Sequence, residues 1–240
     1  MNLIIDIGNN SAKYYIFASN SIVLHGRRPN DSLNFVQEYI TQYTIDKVIV
    51  STVIDISKDD VQLLNNICKE VVWFNSSTPT PIKLEYRTPN TLGTDRIAAL
   101  VGARLQAPGK EILVIDVGSA ITIDFADATG TFKGGNISPG VKMRLNALHN
   151  FTDRLPAIEK DGDVPVFGYD TETAMRSGVI RGICHEIDGY IAEIKTKHPD
   201  VFVFLTGGDE KTLTNNIKSR FFADKFLIAK GLNAILENIY

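Results

Sequence analysis

The feature that most constrains the fold is a segment that occurs twice. Leu3-Ile4-Ile5-Asp6-Ile7-Gly8-Asn9-Asn10-Ser11-Ala12-Lys13 leads into an apolar run from Tyr14 to Ala18. Further on, Leu113-Val114-Ile115-Asp116-Val117-Gly118-Ser119-Ala120 leads into Ile121-Thr122-Ile123-Asp124-Phe125. Each copy reads as a buried strand, a small polar turn and a second strand. The aspartate ends the first strand, and the glycine two residues on lets the backbone turn tightly. One copy alone reads equally well as a generic hairpin. Two copies at matching places imply two halves of similar topology, not a short-period solenoid.

Between the repeats, strands and helices alternate. Helices are expected over 33–43, 58–69 and 95–106, and strands over 47–52 and 71–74, with a proline-bearing loop from Asn75 to Pro89. Ile97, Leu100, Val101 and Leu105 share one face of the third helix. The second half repeats the order, with strands near 121–126 and 131–135 and a helix near 140–149 carrying Val141, Leu145 and Leu148 on one side. A long helix follows from Thr171 to Lys197, where Met175, Val179, Ile183, Ile187, Ile191 and Ile194 form a core stripe. Strand 201–205 runs into Thr206-Gly207-Gly208-Asp209, and a last helix covers 227–237. The pattern predicts an α/β protein with helices layered on sheets. A division into residues 1–110 and 111–240, packed around a cleft, follows from the duplication and from the lack of low-complexity linkers.

Composition narrows the classes. At 240 residues the chain has room for one large domain or two small ones. Hydrophobic residues at 44% and charged residues at 22% are ordinary for a globular protein and argue against disorder. A net charge of -3 gives no electrostatic footprint for nucleic acid. No apolar run is long enough to span a membrane, and Met1 to Asp6 has no basic region before a leader-type stretch. Cys68, Cys184 and four scattered histidines make no zinc or disulfide framework. The expectation is a cytoplasmic protein that binds neither nucleic acid nor membrane.

Neither Gly-x-Gly-x-x-Gly nor Gly-x-x-x-x-Gly-Lys-Ser/Thr is present. The Asp-x-Gly turns remain. Small residues there let backbone N–H groups approach phosphate oxygens as a nest, Lys13 adds positive charge, and Asp6 suits a hydrated Mg²⁺ bridging phosphates. Taken singly, Asp6 reads equally as a turn cap and Lys13 as a surface lysine.

An ordered set of further motifs joins these turns: Gly93-Thr94-Asp95-Arg96, Gly134-Gly135-Asn136-Ile137-Ser138-Pro139-Gly140, and Thr171-Glu172-Thr173-Ala174-Met175-Arg176-Ser177-Gly178. With Asp6 to Lys13 and Asp116 to Thr122, the set resembles the type III pantothenate kinases, in order and over nearly the whole chain. The resemblance implies two ribonuclease-H-like halves of the actin-like ATPase superfamily clasping ATP between two phosphate hairpins. It implies transfer of the γ-phosphoryl of ATP to pantothenate, the first step of coenzyme A biosynthesis, with Mg²⁺, a monovalent cation such as K⁺ or NH₄⁺, and a homodimer.

By the same resemblance Asp95 is the general base. Tyr86, Gly93, Thr94, Asp95, Arg96 and Thr171 hold pantothenate, with Arg96 on its carboxylate. Residues Asp6, Ile7, Gly8, Asn9, Asn10, Ser11, Ala12 and Lys13, with Ser119, hold ATP, and Asp116 binds the monovalent cation. Thr171 also suits a helix N-cap. Asn10 stands where the family usually has a hydroxyl, and Asp170 where asparagine often precedes the threonine. Two alternatives share the resemblance: a kinase of another hydroxylated acceptor, and a non-catalytic ATP-binding relative acting as a transcription accessory factor.

Overall fold

In chain order the strands are β1 (Asn2–Ile7), β2 (Ala12–Ala18), β3 (Ser21–Arg28), β4 (Lys47–Thr52), β5 (Glu70–Trp73), β6 (Lys83–Leu84), β7 (Ile112–Val117), β8 (Ala120–Ala126), β9 (Thr131–Pro139), β10 (Phe202–Thr206) and β11 (Phe222–Ala223). The helices are α1 (Val36–Gln42), α2 (Lys58–Ile67), α3 (Thr94–Gln106), α4 (Val141–Asn150), α5 (Thr171–Lys197), α6 (Glu210–Thr214) and α7 (Leu227–Glu237). This computed structural model describes residues 1–9 and 11–238; the expected phosphate contact at Asn10 lies outside the described residues.

The chain divides into two compact units, one of Met1–Pro108, Gly130–Phe132 and Phe226–Tyr240, the other of Gly109–Thr129 and Lys133–Lys225. The first break lies beside position 110, while the last helix, counted with the second half in the sequence reading, packs within the first unit.

The first unit holds a sheet of order β3-β2-β1-β4-β5. β1 and β2 pair antiparallel, as do β2 and β3, and β4 lies parallel to β1. Strand alternation sends Leu3, Ile5, Ile7, Tyr14 and Ile16 to one face, where they meet Val36 and Tyr39 of α1 and Leu64 of α2. Ser57 caps α2 by accepting from the Asp60 N–H at 3.1 Å. The opposite face carries Asn2, Ile4 and Asp6 and is covered by α3 and α7. There the Asn2 amide donates to Asn233 at 3.0 Å and to Glu237 at 2.5 Å.

α3 and α7 cross at two glycines. A Cβ at Gly102 would meet the Leu227 carbonyl, and one at Gly231 the Ala98 carbonyl. This close crossing buries α3 on all sides from Arg96 to Ala103. Leu105, expected on the apolar face, is 41% exposed, because burial stops at the last turn of the helix and does not follow one stripe.

The second unit repeats the sheet order. β11-β10-β7-β8-β9 matches β5-β4-β1-β2-β3 strand for strand, with β7 and β8 antiparallel and β10 parallel to β7. Val179, Ile183, Ile187 and Ile191 of α5 pack on Leu113, Ile115 and Val117, the stripe the spacing predicts; Ile194 is only partly buried. The segment expected as loop from 75 to 89 contains β6, which pairs with Thr131 and Phe132.

Gly231→Ala is expected to destabilise the protein by about 2 kcal/mol, the usual size for forcing an atom into a packed contact. Gly189→Ala, on an exposed helical position whose Cβ meets open space, is expected to stabilise it. Urea unfolding of the two variants beside wild type checks both signs.

Candidate active site

The first hairpin positions a charged row. Asp6 is the next-to-last residue of β1, directly opposite Lys13 on β2 and beside Ser51 on β4. The Lys13 ammonium lies 3.7 Å from the Asp6 carboxylate. Asp6 is 9% exposed, and its burial pushes its pKa above the ordinary aspartate value. Lys13 pulls it back and the negative Asp95 adds to the rise, so Asp6 and Asp95 feel one another directly. The turn closes with the Gly8 N–H donating to the Ser11 carbonyl at 3.0 Å. Ile7, Ser11 and Ala12 are buried and Asn9 is exposed. The Asn30 amide donates to the Gly8 and Asn9 carbonyls at 2.8 and 3.1 Å, which turns the backbone acceptors toward Asn30.

Asp95 enters the same neighbourhood from α3. Gly93 is the N-cap of that helix, and a Cβ there would run into the Asp95 carboxylate. The Arg96 N–H donates to that carboxylate at 2.9 Å. The Thr94 and Ser51 hydroxyls are 2.9 Å apart, which ties the start of α3 to the strand beside Asp6. Ser51 is fully buried. Arg96 is buried with its guanidinium 5.6 Å from the centre of the Phe132 ring, and Tyr86 lies 5.5 Å from the same ring. The structure therefore gathers Asp6, Lys13, Thr94 and Asp95 in one cluster, and places Tyr86 and Arg96 around Phe132.

Sequence reasoning missed Ser51, Asn30, Phe132 and Arg27. Arg27 lies on β3, a strand the sequence reading did not assign, and its Nε donates to Ser11 Oγ at 2.6 Å. The sequence signal is weak: Ser21 to Arg28 follows a short turn after β2, and none of its positions is fully buried.

The second unit carries Asp116, Ser119 and Thr171. Asp116 stands where Asp6 does in the repeat, but its in-register neighbours are Thr122 and Thr206 in place of a lysine and a serine. Gly207 has φ 108°, and a Cβ there would strike the Asp116 carboxylate. Ser119 is exposed at the tip of the second turn. Asp124 is 1% exposed on β8. Asp209 pairs with Lys160. Thr171 is the first residue of α5 and exposed, while the cap is Asp170, which accepts from the Thr173 N–H at 2.8 Å in a capping box. Thr171 thus does not serve as the N-cap. The hydrogen bonds from Thr173 hold the Asp170 carboxyl below the usual aspartate range.

Two sheets of one order, each opening on a hairpin whose first strand bears an aspartate near its end, define a mixed α/β protein whose fold is shared with proteins described as sugar kinases. Residues 2–193 match the type III pantothenate kinase family. The type III pantothenate kinase of Bacteroides fragilis is 51% identical over 237 residues, covering 99% of this chain and 98% of the relative. The chain belongs to the type III pantothenate kinase family: it is a kinase that uses ATP to phosphorylate pantothenate in coenzyme A biosynthesis. Two solved structures share the fold. One, from Campylobacter jejuni and provisionally described as a conserved Baf family transcriptional activator, has a TM-score of 0.61 at 23% identity over 98% of both chains. The other is the activator of the 2-hydroxyisocaproyl-CoA dehydratase from Clostridium difficile with bound ADPNP, with a TM-score of 0.54 at 14% identity over 98% of this chain and 93% of that one.

The raised pKa of Asp6 has a definite consequence for stability. The folded state holds the Asp6 proton more tightly than the unfolded chain does. Its stabilising contribution is therefore full below the unfolded value of 3.8 and is lost as pH rises through the higher folded value. Without divalent cations or nucleotide, Asp6→Asn is expected to raise stability at pH 7.5 relative to wild type and to flatten the decline from pH 4 upward. Urea midpoints of both proteins across that range test this, and equal slopes would remove Asp6 as the source.

Proposed function

We propose that Asp95 is the general base and that the Asp6–Lys13 turn holds the polyphosphate of ATP. The observation that carries this reading is the geometry of a single unit: the Lys13 ammonium is 3.7 Å from Asp6, and Ser51, in register with Asp6, meets the hydroxyl of Thr94 next to Asp95. A base must lie close to the phosphoryl group it serves, and two carboxylates beside one ammonium leave negative charge that invites a cation. Among the described residues no group of three or more His, Cys, Asp or Glu side chains is placed to hold a metal ion. Asp6, a single carboxylate near the end of β1, would hold Mg²⁺ through the ion's own water shell.

In the reaction, the primary hydroxyl oxygen of pantothenate attacks the γ-phosphorus and its proton passes to the Asp95 carboxylate. The new O–P bond forms as the bond from the γ-phosphorus to the bridging oxygen breaks, and the electron pair leaves with ADP. Mg²⁺, when bound, neutralises charge on the phosphate oxygens. Lys13 supports the same charge from the protein side. Arg96, fixed by burial and by the Phe132 ring, holds the pantothenate carboxylate by a forked contact, and Tyr86 lines that end of the acceptor site. Gly93 and Thr94 complete the acceptor contacts of the first unit.

Asp116, in register with the hydroxyl-bearing Thr122 and Thr206, suits a monovalent cation such as K⁺ or NH₄⁺, a hard ion that takes oxygen ligands. We assign the protein to the cytoplasm on the metabolic role of its family. Homodimerisation is supported by exposed apolar side chains on the second unit: Phe151, 87% exposed, lines an apolar groove between α4 and α5, and Phe167 is equally exposed.

Asp95→Asn is expected to lower turnover by about two orders of magnitude or more, the usual size of a general-base effect, with unchanged thermal unfolding. Near-wild-type turnover in the folded variant would remove Asp95 from the role. Asp116→Asn is expected to blunt the activation of pantothenate phosphorylation by K⁺, read as the K⁺ concentration giving half-maximal rate. An identical K⁺ titration would sink that assignment.

A further inference from the structure

A row of four residues crosses the first sheet in register. Arg27 on β3 pairs with Lys13 on β2, Lys13 with Asp6 on β1, and Asp6 with Ser51 on β4. Side chains of in-register partners point to the same face of a sheet, so the row reads cation, cation, carboxylate, hydroxyl. Ser51 then leads to Thr94 and on to Asp95.

Lys13 has a partner in Asp6. Arg27 has none of that kind: among the described residues no carboxylate pairs with it, and its only hydrogen bond runs from Nε to Ser11 Oγ at 2.6 Å. Like charges directly opposite one another on neighbouring strands are destabilising. The hairpin nonetheless sets an arginine opposite a lysine and leaves both terminal guanidinium nitrogens open beside the turn. That arrangement calls for an anion, and a planar fork is matched to phosphate oxygens.

We propose that Arg27 is a second polyphosphate-binding residue, gripping the phosphates of ATP that are not transferred. The proposal rests on the reading of the Asp6–Lys13 turn as the ATP turn. The row sets the role. Arg27 stands two strands from Asp6, about 10 Å at the usual strand spacing, on the side opposite Ser51, Thr94 and Asp95. It therefore acts on the phosphates remote from the acceptor, and a contact made equally in ground state and transition state changes KM more than kcat.

The test is steady-state kinetics and ADP binding by calorimetry on Arg27→Gln, Arg27→Lys and Lys13→Gln, with thermal unfolding as the folding control. Arg27→Gln is expected to raise the KM for ATP and the Kd for ADP about tenfold, the scale of one charge-assisted contact. The KM for pantothenate and the affinity for adenosine should stay near wild type, and Arg27→Lys should recover part of the loss. Equal losses in Arg27→Lys and Arg27→Gln, together with lowered thermal stability, would mean that Arg27 only braces the turn, and would overturn the proposal. Weakened ADP binding in Lys13→Gln with none in Arg27→Gln would overturn it while leaving the turn assignment standing. Unchanged ADP binding in both would bring down the turn assignment too.

Discussion

A carboxylate held almost out of water at the end of a strand is the constraint around which the first unit is arranged. Asp6 loses most of its hydration, and that loss outweighs the attraction of Lys13. Ionised, it is costly to the fold; as a place where charge is wanted, it is well prepared. The strand pairings that put Lys13 and Ser51 beside it also set where α3 begins, because the Ser51 hydroxyl meets that of Thr94. The position of Asp95 follows from that link and from the bare backbone at Gly93.

The second unit repeats the geometry with different neighbours. Asp116 has threonines on both sides in the ladder, and the positive φ of Gly207 clears space over its carboxylate. One scaffold thus presents two aspartates in equivalent places, the first in register with Lys13 and Ser51 and the second with Thr122 and Thr206.

Much of this was legible because it is local. Alternation and hydrophobic runs located the two hairpins, β4 at its observed bounds, and α5 and α7 at theirs. The hairpin repeat predicted two halves of similar topology, and the two sheets share one strand order. What escaped depends on contacts distant in sequence. β3 has a half-exposed pattern too weak to separate from a loop, so Arg27 went unseen. Phe132 shares its ring between Tyr86 and Arg96 only because β6 pairs with the start of β9. The burial of α3 on all sides reflects α7, more than a hundred residues further on, and no helical stripe records it. At α5 the cap fell to Asp170 and not to Thr171, because its carboxylate finds both the N–H and the hydroxyl of Thr173.

The crossing of α3 with α7 also orders events at the ribosome. The face of the first sheet that bears Asn2, Ile4 and Asp6 needs a helix encoded after the entire second unit. While that unit is being synthesised, the earlier strands must wait with this face covered by α3 alone, exposing the apolar surface meant for α7 to chaperones or to neighbouring nascent chains. The first unit to be translated is thus the last to be completed.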